Sequence, residues 1–359
     1  MKIALLNDTH CGSRNSSNIL LDNAETFYEK VFFPYCIEHD IKHIIHLGDY
    51  YDNRKFINFK SLNRNRHHFL NKLRLHNMTM DIIAGNHDVY YKNTNNLNSL
   101  KELLGHYMDI DYLFDVVNII HKPTTMKYDG LEFALVPWIN SENEEESMKF
   151  IRDTPARYVG GHFDIIGYEM TKGVESVHGM NSSVFDRFDS VYSGHFHTKS
   201  SKNNIHYLGS QMEFFWNDAH DKKYFHVFDT STEQIVPVHN PYTLFERISY
   251  DDINKNMTDF DLSKVDNKFV KINVVNKKDI KAFDKFVDDI QSRNIHELKI
   301  AESFVEFVGE SVVDEDVLLE DTSSLLNTYV DAVDTELDRD RIKKQMSELL
   351  QEAQTFEIV

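Results

Sequence analysis

Five short motifs in this chain end in side chains that hold metal ions: Asp8-Thr9-His10, Gly48-Asp49, Gly85-Asn86-His87-Asp88, Gly161-His162 and Gly194-His195-Phe196-His197. Each follows a run rich in apolar residues, such as Ile44-Ile45-His46-Leu47 or Ile82-Ile83-Ala84. Such a run reads as a buried β-strand that delivers a donor at its carboxyl tip. That is where open α/β sheets place their ligands. One histidine or one Gly-Asp turn has an ordinary explanation, but five tips in this order predict a single site with Asp49 at its centre. The donors are carboxylate, amide and imidazole with no thiolate. This set suits Mn²⁺ or Mg²⁺, and also iron or zinc, rather than a structural cysteine-zinc site. Glycine before a ligand lets the backbone turn sharply and come close to an ion.

The elements that must position these tips can be read in turn. Residues 1–7, 41–47 and 78–84 are expected strands, separated by helices over 22–39 and 58–76. Pro34 is expected to kink the first helix or mark its last turn. Leu62, Phe69, Leu70 and Leu73 give the second helix an apolar side. A polar loop over 91–96, a helix over 97–106, strands within 112–136 around a Tyr128-Asp129-Gly130 turn and a helix over 143–153 follow, and 184–240 is β-rich. Strands alternating with helices indicate an α/β fold with a largely parallel sheet. The pattern changes around Pro241. Residues 269–275 alternate like a strand. Residues 279–292 form an amphipathic helix with Ile280, Phe283, Phe286, Val287 and Ile290 on one face, and 298–307 alternate again. The expected organisation is a metal-binding domain over 1–240, a small β-α-β domain over 241–308, an acidic linker over 309–316 and a helical tail over 317–359.

Composition bounds the function. No apolar run approaches the roughly 20 residues that span a bilayer, so no membrane role is expected. Two cysteines, Cys11 and Cys36, leave no disulfide framework, and an intracellular, cytoplasmic protein is the expectation. Cys11, next to His10, reads as a packing residue. The net charge of −19 argues against nucleic acid as a partner until its distribution is considered. Residues 310–359 hold 14 acidic and 4 basic side chains. Residues 53–80 hold seven Lys or Arg, three His and no Asp or Glu, so cationic surface is concentrated just after the Asp49 motif.

The five motifs resemble those of the calcineurin-like metallophosphoesterases over residues 8–197. The resemblance implies a β-sandwich core flanked by helices and two metal ions. Asp8, His10, Asp49 and His197 would hold one ion, and Asp49, Asn86, His162 and His195 the other. Such a pair activates water and clamps both oxygens of an in-line displacement at phosphorus. His87 is then placed to protonate the leaving oxygen, with Asp88 to orient it; the plain reading of Asp88 is a cap for the segment that follows.

The motif spellings and the order of parts are similar to SbcD-type nucleases of double-strand-break repair, in a short form that fits a phage recombination nuclease. In that case the cytoplasm is the host's. This resemblance implies two Mn²⁺ ions (or Mg²⁺), 3′→5′ exonuclease and endonuclease activity on DNA, a homodimer, and an SbcC-type coiled-coil ATPase bound through residues 317–354. Asp52 departs from the histidine that many relatives carry there. Arg54, Lys55, Lys60, Arg64 and Arg66 are the expected DNA contacts, and Phe56, Phe59, Phe69 and Leu73 the expected dimer contacts; an ordinary solvated helix face is the other reading of that window. Two other readings of the chain stand beside this one: a stand-alone phosphomonoesterase or small-molecule phosphodiesterase, which has no need of the tail, and a silent scaffold, against which the full ligand set argues.

Overall fold

The computed structural model describes residues 1–104, 116–301, 339 and 341–342. The expected linker, the tail over 317–354 and the end of the 298–307 strand lie outside the described residues, apart from the three positions just named. Two six-stranded sheets face each other. The first runs Gln234–Asn240, Lys223–Asp229, Lys2–Leu6, His43–His46, Thr79–Ile83, Val117–Ile120. Its last four strands are parallel. The second runs Ser200–Lys202, Ile205–Tyr207, Ser190–Gly194, Tyr158–His162, Leu131–Val136, Thr124–Tyr128, parallel through its four central strands.

The continuous apolar runs are explained by burial on both strand faces. Ile3, Leu5, Ile45, Leu47 and Ile83 point between the sheets against Phe133, Leu135, Tyr158 and Tyr192. Their neighbours Ala4, Leu6, Ile44, Met80 and Ile82 point the other way, into a helical layer. The second sheet covers its own outer face with Ile151 of the Glu144–Asp153 helix and with Phe163 and Phe185. This is the expected sandwich flanked by helices. Register aligns the tips: Leu6 lies beside His46, His46 beside Ile82, and Gly194 beside His162.

Two helices in the helical layer share one irregularity. Asn18–Phe27 passes through a π turn at Tyr28–Phe32 into Phe33–Glu38, and Phe59–Asn65 through a π turn at Arg66–Leu70 into Asn71–Leu75. Pro34 therefore neither breaks the first helix nor ends it. It falls at the start of the third segment, right after the wider turn, where its missing N–H is tolerated. The two π turns pack together, with ring centroids 4.7 Å apart for Tyr28 and Phe69 and 6.1 Å for Phe32 and Phe69. This corrects the expected dimer contacts. Phe69 and Leu73 are fully buried inside the chain, whereas Phe56 and Phe59 are 67% and 85% exposed.

Two further differences have local causes. The expected polar loop is a hairpin, Val89–Tyr91 with Thr94–Asn98. Its strands are held by polar side chains, Asn98 donating to Asn95 O at 2.8 Å and Asn95 to Trp138 O at 2.8 Å. The helix after it starts at Ser99, two residues later than expected, and is described as far as Leu104. Beyond Pro241 the structure has three parallel strands, not two: Phe245–Asp251, Phe269–Asn276 and Glu297–Ala301. The first escaped notice because Glu246 and Arg247 interrupt its alternation. The Ile280–Gln291 helix is capped by Asp279, whose Oδ1 accepts from Ala282 N at 3.1 Å. Phe283, Phe286 and Ile290 pack under that sheet, while Ile280, expected on the same face, is 64% exposed. Among the described residues no helix is long and apolar enough to cross a membrane.

Phe69→Ala removes a ring wedged among Tyr28, Phe32 and Phe33, and urea unfolding should show a loss of about 3–5 kcal/mol. Phe59→Ala, at the surface, should stay within about 0.5 kcal/mol.

Candidate metal centre

The loops that leave the Lys2–Leu6 and His43–His46 strands run side by side. Asp8 N donates to Gly48 O at 2.9 Å, His10 N to Asp49 O at 3.1 Å and Cys11 N to Tyr50 O at 2.8 Å. Asp8, His10, Asp49 and His195 all have positive φ, at 47°, 41°, 54° and 89°. For non-glycine residues such backbone costs about 1–3 kcal/mol each and persists only where its surroundings enforce it. The approach is close enough that a Cβ on Gly85 would lie 2.1 Å from Asp49 Oδ1. Cys11 is a packing residue, as expected: burial pushes its thiol up to about 12.

All seven expected ligands converge. Asp8, His10 and His197 form one cluster and Asp49, His162 and His195 another, with the donor atoms of each within 4.8 Å of one another. Asn86 Oδ1 lies 2.9 Å from His162 Nε2 and 3.0 Å from His195 Nδ1. Asp49 Oδ2 serves both clusters, 3.2 Å from His162 Nε2 and 3.8 Å from His10 Nε2. His10 Nε2 and His197 Nε2 face each other at 3.1 Å. Two imidazole nitrogens aimed at one point beside buried carboxylates are what a cation would satisfy. The donor set therefore fits divalent ions.

Several orienting groups escaped the sequence reading. His162 Nδ1 donates to Leu47 O at 2.8 Å, which turns its Nε2 toward Asp49. Asp52 Oδ1 sits 3.3 Å from His10 Nδ1. Asn7 donates to Asp8 Oδ2 at 2.5 Å, and the buried ammonium of Lys223 donates to His197 O at 2.9 Å and Asp218 at 2.6 Å. Trp138, at the end of its own strand, lies against His195 with centroids 5.4 Å apart. Of these, only Asp52 and Asn7 had a signal, their place beside a ligand motif.

Residues 1–199 match the family described as calcineurin-like phosphoesterase. The chain belongs to that family. It is 30% identical to exonuclease subunit 1 of Enterobacteria phage T4, over 98% of this chain and 99% of the relative. Among solved structures it is similar to an archaeal phosphodiesterase, at 15% identity and TM-score 0.33 over 67% of this chain and 100% of that one. It is also similar to a purple acid phosphatase from yellow lupin seeds, at 11% identity and TM-score 0.36 over 66% of this chain and 52% of that one.

The charges of this metal-dependent phosphoesterase are arranged around its shared carboxylate. Burial opposes ionisation of Asp49, yet His162, His87 and His10 hold its carboxyl well below the usual range. Burial and the charge on Asp49 push Asp8 upward. Burial also works against charge on His10 and His162, but Asp52 and Asp49 carry His10 up to about 10, and Asp49 and Asp8 carry His162 up to about 9. Burial drives His197 down to about 3 and His195 well below its ordinary value.

Of the expected catalytic pair, His87 lies where the sequence reading put it and Asp88 has different partners. His87 lines the centre, its ring 4.8 Å from that of His10 and its backbone N–H on Asp49 Oδ1 at 2.8 Å. Its Nδ1 is 2.7 Å from the backbone carbonyl of Asp52. Asp88 does not supply that orientation. Its buried carboxylate accepts from the backbone N–H groups of Tyr50, Tyr51 and Gly85 at 3.0–3.2 Å and from Ser99 Oγ at 3.3 Å. It ties the Asp49 loop to the Asn86 loop and reaches forward to the Ser99 hydroxyl.

Among the basic residues, Arg64 is engaged by Asp22 at 2.6 Å and by Glu25, and Lys60 donates to Asn18 Oδ1 at 2.8 Å. Lys55 and Arg66 are exposed, and Arg54 is half-buried.

Asp49→Asn should weaken both metal affinities together, while His10→Ala and Asn86→Ala should each weaken mainly one; stepwise calorimetric titration separates these. The raised pKa values set a pH dependence. His10 and His162 are protonated at neutral pH before a cation arrives, and a metal takes only the neutral imidazole. Affinity should therefore strengthen as pH rises from about 7 toward about 9 and weaken on acidification. Protons should be released on binding, measured as a dependence of the heat on the buffer's ionisation enthalpy.

Proposed function

We propose that this phosphoesterase is a DNA nuclease of the SbcD type, a 3′→5′ exonuclease and endonuclease using two Mn²⁺ ions, with Mg²⁺ as the alternative. One observation carries the reading. A site whose seven donors converge on a shared Asp49 sits in a chain that aligns end to end with a phage exonuclease subunit. Asp8, His10, His197 and Asp49 would hold one ion, and Asp49, Asn86, His162 and His195 the other. Bound there, such ions lower the pKa of water and neutralise charge on a phosphodiester.

The chain's own groups supply the rest. With its Nδ1–H held on the Asp52 carbonyl, protonated His87 presents its Nε2–H to the leaving oxygen and neutralises it as it departs. Asp52 keeps His10 and His87 in their rotamers, and Asp88 keeps the two loops in register. Exposed Lys55 and Arg66 extend a DNA path away from the site, and exposed Phe56 and Phe59 are the dimer contacts that remain once Phe69 and Leu73 are assigned to the core. An SbcC-type coiled-coil ATPase bound through 317–354, a domain boundary near 240 and an intracellular location, in a host cytoplasm if phage-encoded, complete the reading.

The competing reading is a stand-alone phosphomonoesterase or small-molecule phosphodiesterase. Labelled duplex DNA with Mn²⁺, run against para-nitrophenyl phosphate and its bis ester, separates the two; the nuclease reading expects DNA to be turned over and the monoester to be nearly inert. His87→Ala should keep both metals and lose roughly 10²–10⁴-fold in cleavage. Normal DNA cutting by that variant would remove His87 from the mechanism.

A further inference from the structure

One tetrapeptide, Glu213-Phe214-Phe215-Trp216, touches both the metal centre and the three-stranded sheet. The Phe214 ring meets His10 edge-on, with centroids 5.3 Å apart, and His197 at 5.7 Å. Phe215 stacks on His197 at 5.9 Å and 17°. On either side of these rings the same segment grips the first strand of the other sheet. Glu213 Oε2 accepts from Leu244 N at 2.6 Å and Phe245 N at 2.9 Å, and Trp216 packs edge-on against Phe245 at 5.1 Å. Asp218 pins the segment from below by accepting from Phe214 N at 2.7 Å and Phe215 N at 2.9 Å.

A second route runs from His10 to the same place. The chain after His10 turns through three consecutive left-handed residues, Arg14, Asn15 and Ser16, at φ 49°, 56° and 60°. This uncommon backbone sets the Arg14 guanidinium 4.7 Å from the Phe269 ring and 5.5 Å from Phe245. Phe245 and Phe269 stack on each other at 5.1 Å and 18°. Both routes therefore end on one ring pair, and that pair belongs to two adjacent strands of the three-stranded sheet.

We infer that the Phe245–Phe269 pair is a positioning element of the metal centre, holding the His10 and His197 imidazoles through Phe214 on one side and Arg14 on the other. The inference rests on the metal reading above. It goes beyond it by making the ion held by His10 and His197 sensitive to how the three-stranded sheet is seated, while the ion held by Asn86, His162 and His195 is not. A core ring with only a structural role would lower stability without selecting one ion.

The test is a cobalt(II) titration of the full chain, followed by visible absorption and calorimetry. Phe245→Leu should weaken one of the two cobalt affinities by about tenfold, shift the visible bands and leave the second affinity unchanged; Phe245→Tyr should restore both readouts. In a Phe214→Leu, Arg14→Gln background, Phe245→Leu should have no further effect, because both routes are already cut. Arg14→Gln, which leaves the apolar packing in place, should act in the same direction as Phe245→Leu. Folded Phe245→Leu and Arg14→Gln chains with unaltered cobalt affinities and spectrum would overturn the inference. So would losses that simply add in that double-variant background. An unaltered chain that binds fewer than two cobalt ions would refute the metal reading instead.

Discussion

Everything in this molecule is arranged around two aspartates that share one buried space. Asp8 and Asp49 are almost completely inaccessible, and isolated charges in such a setting are expensive. The fold meets that cost locally. Backbone N–H groups of His87 and His195 point at the carboxylates, Asn7 adds an amide, and a ring of imidazoles supplies compensating charge. The strained φ values at four ligand positions are the geometric side of the same problem. Two strand tips must turn back on themselves to bring their carboxylates to one point, and the ladder of hydrogen bonds between their loops, with the Asp88 carboxylate, holds them there.

How much of this was legible depended on where each interaction closes in the chain. The candidate ligands could be read because each follows the end of an apolar strand, so its type and its place in the sheet lie within a few residues. Asp88 shows the limit of that logic. Its adjacency to His87 suggested an orienting pair, but successive residues on a turn point in different directions, and its carboxylate closes on Tyr50 and Tyr51, far back in the sequence. The carbonyl of Asp52 took the role instead, and a backbone group carries no side-chain signature. Glu213 and Lys223 were invisible for a related reason. A buried charged side chain spells the same as a solvated one until its partners are known.

The helix over 59–75 makes the same point with apolar residues. Its basic composition drew attention to the outer face and suggested that Phe59 and Phe69 share a surface. They stand on different sides, and the extra residue in the π turn rotates the second half of the helix further. Phe69 is thereby carried into the aromatic cluster of the helical layer. The ion pair of Arg64 with Asp22 and Glu25 shows that a window free of acids in sequence need not be free of them in space.

The order of the strands has a consequence for how the protein comes into being. The Lys2–Leu6 strand is made before its neighbours in the sheet, yet it lies between His43–His46 and Lys223–Asp229, and His10 meets a partner 187 residues later in His197. At about 5–20 residues per second of synthesis, a growing chain carries Asp8 and His10 for about ten to forty seconds before the second sheet's donors exist. Throughout that interval no segment near the ribosome can gather a full set of ligands. Hydrolytic competence therefore cannot precede the synthesis of His197, the last of the candidate donors along the chain.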